Sequence, residues 1–159
     1  MSSPTFRPAE FPAADEAEVR ALHQSLLQAW NERSASAMSE LFAEDGELIG
    51  FDGSEVAGRA AIASHLGPIF ADHPTPAFVG KVRGVRLLAR EVALLSAVAG
   101  MVPSGRSDLE PGLNVVHRII AVKADGRWSI ALYQNTPAQY HGRPEAVREL
   151  TEELRQLLP

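Results

Sequence analysis

Four polar side chains interrupt two apolar, β-branched runs within residues 113–136, and their types could bind a ligand or move protons. His117 and Asn114 stand in the first run, and Gln134 and Asn135 stand in the second. A polar group buried among valines and isoleucines costs free energy unless it is hydrogen-bonded. The pattern therefore predicts either a satisfied polar network or a pocket, and we interpret it as a pocket.

His117 and Asp52 are the candidate catalytic residues. Histidine titrates closest to neutral pH, which makes His117 the first candidate for general acid–base chemistry. Asp52, in the segment Gly-Phe-Asp-Gly, is the candidate carboxylate at the mouth of the pocket. Each has a structural alternative: His117 as a satisfied core histidine, and Asp52 as a turn residue that bonds its own backbone. The sequence leaves both alternatives open.

The dipeptide Asp125-Gly126 predicts a two-residue β-hairpin turn, which sets the register of the two flanking strands. In that register His117 lies opposite Gln134, and both side chains face the helices. Asn135 then lies on the outer face, unless a bulge exchanges the faces beyond it.

The other pocket residues are predicted from the inward stripes of the helices and from aromatic residues near them. Trp30 and Phe51 have simple core packing as their alternative, and His65 lies at the edge of a helical stripe. We expect substrate-binding contacts from Trp30, Phe51, His65, Phe70, Asn114, Gln134 and Asn135. The five histidines lack ligand-like spacing, so we predict no metal site.

Helical periodicity dominates the first part of the chain. A helix is predicted over residues 14–32, where Asp15 and Glu18 form a capping-box pattern before the apolar stripe. Ser34 is expected to cap a second, short helix that ends near Gly46.

The second part of the chain is mostly β-rich. After a short strand over residues 47–51, a third helix opens at Gly58 and contains Pro68. Pro144 sits at the first turn of a final helix. Four longer strands are expected over residues 78–88, 92–102, 113–124 and 127–136. The order predicts an α+β fold.

Length and composition predict one domain over residues 14–159, preceded by a flexible, proline-containing arm over residues 1–13. A net charge of -5 without a basic stripe argues against nucleic acid as a partner. No apolar run is long enough for a signal peptide or a membrane span. The absence of cysteine fits a reducing compartment, and we expect a cytoplasmic protein.

Several segments carry a family resemblance that covers roughly residues 14–158. Residues 41–46 (LFAEDG), 58–62 (GRAAI) and 126–128 (GRW) resemble the NTF2/SnoaL-like superfamily. Residues 50–54 (GFDGS), 71–75 (ADHPT), 98–103 (VAGMVP), 134–137 (QNTP) and 141–145 (HGRPE) more narrowly resemble the SgcJ/EcaC-type family. The resemblance implies an NTF2-like cone, in which three N-terminal helices and a C-terminal helix accompany a curved antiparallel sheet.

The resemblance also implies a functional setting. Members of the SgcJ/EcaC-type family occur in biosynthetic clusters for enediyne and related polyketide natural products, so a small hydrophobic molecule is the expected ligand. Some members of that family are labelled oxidoreductases. No Gly-x-Gly-x-x-Gly segment joins a strand to a helix in this sequence, so we expect no cofactor, and the dinucleotide-binding motif that would support this label is absent. The ketosteroid isomerases of the superfamily use a carboxylate base and an acidic donor, but alignment puts Gly50 and Leu26 at those positions.

Three functions stay open. The first is a cofactor-independent enzyme that acts on a polyketide-like intermediate by isomerisation, cyclisation or hydration. The second is a non-catalytic binding or carrier protein, and the third is a structural dimer module. A homodimer is expected through the outer sheet face, because that face would otherwise expose Val116, Ile120, Val122 and Tyr133.

Overall fold

The computed structural model describes residues 10–159, so most of the predicted flexible arm (residues 1–9) lies outside the described residues. The helices are α1 (Ala13–Asn31), α2 (Ala35–Ser39), α3 (Arg59–Asp72) and α4 (Pro144–Arg155). The strands are β1 (Phe42–Ile49), β2 (Glu55–Ala57), β3 (Ala77–Ala89), β4 (Val92–Val102), β5 (Val115–Ala124) and β6 (Arg127–Pro137). A short 3-10 turn covers Pro111–Leu113.

The six strands form one curled sheet in the order β2-β1-β6-β5-β4-β3. Its pairs are antiparallel except for β1 and β6, which run parallel. The expected purely antiparallel sheet is therefore wrong at this seam. No hairpin links β1 to β6, because residues 50–126 lie between them, so their relative direction is not restricted by a tight turn. The fold is an α+β cone with a mixed sheet.

The three N-terminal helices differ from the expectation in detail. The segment α2 has only five residues, and its Ser34 cap accepts a hydrogen bond from the Ala37 amide at 3.1 Å. The short helix was predicted to continue towards Gly46, but Phe42 already begins β1 and is fully buried. The helix α3 follows β1 and β2, and Pro68 lies inside it.

The helix α1 packs against the concave face of the sheet, where the main core forms. Its apolar stripe meets inward residues of the strands, and the largest cluster includes Val19, Leu22, Leu26, Phe42, Ile62, Leu95, Ile119 and Ile130. Burial of such side chains stabilises the fold by about 1.5–3 kcal/mol each. This packing brings His23 of α1 into contact with His117 of β5.

Asp15 and Glu18 do not form the predicted capping box. Asp15 Oδ1 accepts hydrogen bonds from Trp128 Nε1 and Lys123 Nζ, both at 3.0 Å. Glu18 Oε2 accepts from the Trp128 backbone amide at 2.6 Å. The hydrogen bond from Trp128 Nε1, and after it the one from Lys123, hold the pKa of Asp15 below its usual range. The two carboxylates therefore fasten the start of α1 to the β5–β6 hairpin.

The helix α4 covers part of the outer sheet face. Leu150 and Leu154 pack with Val98 of β4, and Leu109 and Ala138 complete this second core. An added Cβ at Gly100 would lie 3.0 Å from Leu154 Cδ1, so the glycine permits the close approach of helix and strand. Among residues 10–159, no helix has the length and apolar character needed to cross a membrane.

Candidate functional site

A cavity of about 270 Å³ lies between α1, α3 and the end of the sheet formed by β1 and β6. Its walls are mostly apolar, and its polar residues belong to two groups. Tyr133 and Asn135 come from β6, whereas Asp52, Ser54 and His65 come from the β1–β2 turn and α3. The apolar walls are Trp30, Met38, Leu48, Phe51, Leu66, Ile69 and Phe78, with Gly50 beside the turn.

A bulge in β6 decides which polar residues face the helices. Ile120 pairs with Leu132 and Ala121 pairs with Ile130, which leaves Ala131 without a partner residue on β5. One extra residue reverses the alternation of side chains beyond it. As a result His117 lies opposite Asn135 instead of Gln134.

This bulge overturns three of the positions that the predicted register gave. Gln134 was predicted to face the helices, but it pairs with Arg118 on the outer face and contacts Thr136 Oγ1 at 3.4 Å. Tyr133 was predicted on the outer face, but it is inward and 3 % exposed. Asn135, expected on the outer face by that register, lines the cavity.

His117 is the centre of a buried hydrogen-bond network behind this wall. Its ring has no exposed surface. Its Nε2 atom lies 3.1 Å from Asn135 Oδ1 and 3.0 Å from Tyr133 Oη. On the other side, its Nδ1 atom lies 3.1 Å from Nε2 of His23, a buried residue of α1. His117 thus touches the cavity-lining residues and is separated from the cavity by them.

Burial keeps both histidines neutral. Desolvation lowers the pKa of His117 to about 3, the neighbouring His23 contributes in the same direction, and the Asn135 hydrogen bond opposes the shift. Desolvation likewise lowers the pKa of His23 to about 4. Burial raises the pKa of Tyr133 far above its ordinary value, so its hydroxyl stays protonated.

The hydrogen bonds determine the tautomers of the two rings. The Asn135 carbonyl oxygen can only accept, so Nε2 of His117 carries the proton and donates it. Nδ1 of His117 must then accept from the Nε2–H of His23. Tyr133 Oη is the second acceptor of the His117 Nε2–H, beside Asn135 Oδ1, so the O–H proton of Tyr133 is available to another partner. Tyr133 and the Asn135 amide can therefore donate to a ligand oxygen.

The mouth of the cavity carries the second polar group. Asp52 Oδ1 accepts a hydrogen bond from the Ser54 backbone amide at 2.9 Å. This bond is the largest reason that the pKa of Asp52 lies below its usual range, and the charge of His65 contributes less. The turn role of Asp52 is thus present in the structure, and the same side chain also lines the cavity beside His65. Phe51 lines the rim with 40 % of its surface exposed.

Besides Gln134, three sequence-predicted residues lie off the cavity wall. Phe70 packs edge-on against Trp30, with ring centroids 5.1 Å apart, and supports the wall from behind. Asn114 is fully buried beneath α4, where its Nδ2 donates to Thr151 Oγ1 at 2.9 Å. His117 is the third, as described above. The expectation that Phe70 and His117 form the wall is wrong, because other side chains stand between them and the cavity. Asn114 lies away from the cavity, on the face that α4 covers.

Sequence reasoning missed His23 and the inward position of Tyr133. His23 falls on the apolar stripe of α1, four residues after Val19 and three before Leu26, and this spacing could have shown that it is buried. For Tyr133 the deciding signal is the bulge at Ala131, which has no sequence mark such as glycine. In the described part of the chain, no three His, Cys, Asp or Glu residues are grouped so as to hold a metal ion.

Comparison with known proteins identifies the relatives of this fold. The sequence profile of the SnoaL-like domain matches residues 19–138. No curated protein matches the sequence. A solved domain of unknown function with a cystatin-like fold, from Nostoc punctiforme PCC 73102, is 25% identical with a TM-score of 0.78, over 92% of this chain and 98% of that chain.

Two more distant structures share the fold. A ketosteroid isomerase-like protein from Erwinia carotovora atroseptica SCRI1043 has 16% identity and a TM-score of 0.64, over 80% of this chain and 99% of that chain. A candidate scytalone dehydratase from Novosphingobium aromaticivorans DSM 12444 has 16% identity and a TM-score of 0.65, over 82% of this chain and 90% of that chain. At these identities the likeness concerns the fold alone.

Proposed function

The chain belongs to the SnoaL-like domain family, and from that premise we propose that it binds a small, mostly apolar molecule and acts on it by cofactor-independent acid–base chemistry. One observation carries the proposal. In a cavity with mainly apolar walls, Tyr133 and Asn135 form a polar pair that a buried, neutral histidine supports from behind. Such a combination of apolar walls and a few convergent polar groups is typical of small-molecule sites.

The polar pair suits a ligand oxygen. Tyr133 and Asn135 can both donate hydrogen bonds, so they would hold a carbonyl or enolate oxygen of the ligand. Donors that strengthen as negative charge develops on that oxygen favour removal of a proton from the neighbouring carbon. Asp52 at the mouth is the proposed proton acceptor, and His117 is the proposed proton source behind the donors. The roles of Trp30, Phe51 and His65 would be contacts with the ligand.

The cavity volume limits the size of the ligand. About 270 Å³ is at the small end of ligand sites, which commonly measure ~300–1,000 Å³. A fused-ring end of a polyketide-like molecule would fit, with the remainder extending past Phe51 at the rim. Together with the sequence resemblance, this cavity leads us to propose a role of the SgcJ/EcaC type in natural-product biosynthesis. We propose the cytoplasm as the location of the protein.

A ligand screen with a blocked cavity tests the proposal. The probes are bicyclic aromatic ketones, each paired with the hydrocarbon of the same shape, and binding is measured as a rise in Tm. Gly50→Leu should abolish the rise, because Gly50 lines the cavity and an added Cβ meets its nearest atom at 3.6 Å, so the side chain can fill the space. Gly84→Leu, in β3 with open space around its Cβ, is the control and should keep it. Equal shifts for ketone and hydrocarbon, or no shift in any pair, would contradict the proposal.

A carrier function is the second candidate, and one observation favours it. The Ser54 amide lowers the pKa of Asp52, which makes this carboxylate a weak base. A carrier would bind the ketones with unchanged affinity in Asp52→Asn and would show no turnover of them. Solvent deuterium incorporation next to the bound carbonyl, followed by NMR, distinguishes the enzyme from the carrier.

We also propose a homodimer through the uncovered part of the outer sheet face. Leu94, Ile120 and Leu132 are neighbours across β4, β5 and β6, and each is only half-buried. A second copy of the same face would bury this patch. Sedimentation at micromolar concentration should give a dimer, and Ile120→Lys should give a 17.1 kDa monomer. A monomer in both proteins would contradict the proposal.

A further inference from the structure

A second depression lies on the side of α1 away from the main cavity. It is a surface groove between α1 and β3, with a volume of about 500 Å³. Its lining includes Ala17, Arg20, Gln24, Gly80 and Lys81. His23 also belongs to this lining, although only 2 % of the residue is exposed. The imidazole therefore lies between the groove and the interior of the protein.

The two depressions are joined by an unbroken series of hydrogen bonds. His23 Nε2 contacts His117 Nδ1 at 3.1 Å, and His117 Nε2 contacts Tyr133 Oη at 3.0 Å. Tyr133 lines the main cavity. Within residues 10–159, Nδ1 of His23 has no hydrogen bond to another protein group, so it is the end of the series on the groove side.

We propose that His23 and His117 form a proton relay that connects the groove between α1 and β3 to the Tyr133 hydroxyl in the main cavity. The inference rests on the proposed function, because it supplies the proton that such chemistry would consume. Both histidines act through Tyr133 and are positioning residues. Tyr133 is the group that would touch the ligand.

Each transfer in the relay keeps the number of protons on every ring constant. The Tyr133 O–H gives its proton to the ligand, and the Nε2–H of His117 replaces it. The Nε2–H of His23 passes to Nδ1 of His117, and Nδ1 of His23 takes one proton from water in the groove. One proton enters, one proton leaves, and both rings change tautomer without becoming charged.

The relay suits its buried surroundings because neither imidazole has to become charged. Burial lowers the pKa of His23 to about 4 and that of His117 to about 3, so neither imidazolium would form readily at neutral pH. The charged side chains on the groove are Arg20 and Lys81, and each also contacts a glutamate, Glu16 or Glu153. The rings that pack on His117 are Phe78, Tyr133 and His23, none of which carries a charge.

Hydrogen exchange of the buried His117 Nε2–H tests the relay without any ligand. The protein is labelled with ¹⁵N-histidine, transferred to D₂O at pH 7, and followed by NMR. His23→Gln is the main variant, because an amide can donate to His117 Nδ1 but cannot accept and pass on a proton as imidazole does. We expect its exchange to be slower by about tenfold or more, since the path from the groove is cut while the fold is kept.

A purely structural role for His23 predicts the opposite sign. Loss of a packing contact would loosen the network and speed exchange, so unchanged or faster exchange in His23→Gln with the wild-type Tm would overturn the relay. Exchange that slows in Gly50→Leu and not in His23→Gln would overturn it too, because the proton would then travel through the cavity. Gln24→Ala, on the same groove, is the control and should exchange as the wild type does.

A second variant keeps the test decisive if His23→Gln does not fold. Ala17→Trp should cover the groove from its exposed rim and slow exchange without changing either histidine. Wild-type exchange in that variant would overturn the relay. The ketone screen and the exchange measurement are independent. If exchange slows in His23→Gln but the wild-type protein binds no ketone, the relay is supported and the proposed function is rejected.

Discussion

Asn114 lies directly before β5 and His117 lies three residues later, inside the strand; neither has any exposed surface. Because side chains alternate along a strand, an odd separation sends them to opposite faces of the sheet. His117 points to the concave face and joins His23, Tyr133 and Asn135. Asn114 points to the outer face and bonds to Thr151 of α4.

The buried polar groups around Asn114 and around His117 differ in their chemistry. Asn114 Nδ2 donates to Thr151 Oγ1 at 2.9 Å, and its backbone oxygen accepts from the Ala138 amide at 2.8 Å. Its Oδ1 is buried without a partner in the described part of the chain. None of these groups is titratable, whereas the set around His117 holds two imidazoles. The Asn114 region holds α4 against the sheet, whereas the stability of the His117 region depends on pH through its two histidines.

The largest expected effect of this difference is acid sensitivity of the His117 region. Both histidines are neutral in the folded protein, but in the unfolded chain they take up protons near pH 6.5. Stability is therefore full above pH 6.5 and falls as the pH drops towards about 4 for His23 and about 3 for His117. Each histidine removes about 1.4 kcal/mol per pH unit in its window.

Urea unfolding at pH 7, 6, 5 and 4 measures this slope. The double variant His23→Gln/His117→Gln should lose most of the slope above pH 4, where the aspartates with lowered pKa, such as Asp15, do not yet contribute. Asn114→Ala should keep the wild-type slope at lower overall stability. A flat wild-type profile between pH 6.5 and 4 would show that the histidines are not buried as neutral rings.

The next effect concerns α4. Leu154 is fully buried between α4 and the outer sheet face, so Leu154→Ala should lower the free energy of unfolding by about 2–5 kcal/mol. The main cavity is on the other face, so ketone binding should persist at a temperature where the variant is folded. Leu158→Ala, at a half-buried position of the same cluster, is the matched control and should cost less. Loss of ligand binding in folded Leu154→Ala would break the separation of the two regions.

A smaller effect is expected from one hydroxyl group in the cavity. Tyr133→Phe removes a donor to the ligand, and a hydrogen bond worth about 0.5–1.5 kcal/mol corresponds to up to roughly tenfold in ketone affinity. The hydrocarbon partner of each ketone should bind with unchanged affinity. Tyr140→Phe, beside α4, is the control and should change neither value. Calorimetric titration of the two probes checks the prediction.

The smallest effect is expected at Gln134. Because the bulge turns it outward, Gln134→Ala should change stability by less than about 0.5 kcal/mol and leave ketone binding intact. Asn135→Ala should cost about 0.5–1.5 kcal/mol, since it removes one of the two acceptors of the His117 Nε2–H. The reverse order in the two variants would mean that the strand register beyond Ala131 differs from the one described.

Much of the fold could be predicted because its signals are local. The turn at Asp125-Gly126, the start of α3 after Gly58 and the first-turn position of Pro144 all depend on the backbone preferences of one or two residues. The strand β4 was predicted with its observed ends, Val92–Val102, from its apolar run. The direction of β1 against β6 has no such signal, because residues far apart in sequence decide it.

The candidate site also combines features that local sequence predicts with features that depend on distant residues. The sequence by itself determined which residue types were available: a histidine in an apolar strand, polar neighbours across a hairpin, and aromatic residues such as Trp30 on a helical stripe. Only the tertiary structure decided which of them meet. The unpaired Ala131 exchanged Gln134 for Asn135, and packing of α1 on β5 brought His23 to His117. A strand has a period of two, so one extra residue reverses every later side chain, and the balance of pairing and packing over the whole sheet selects where that residue stands.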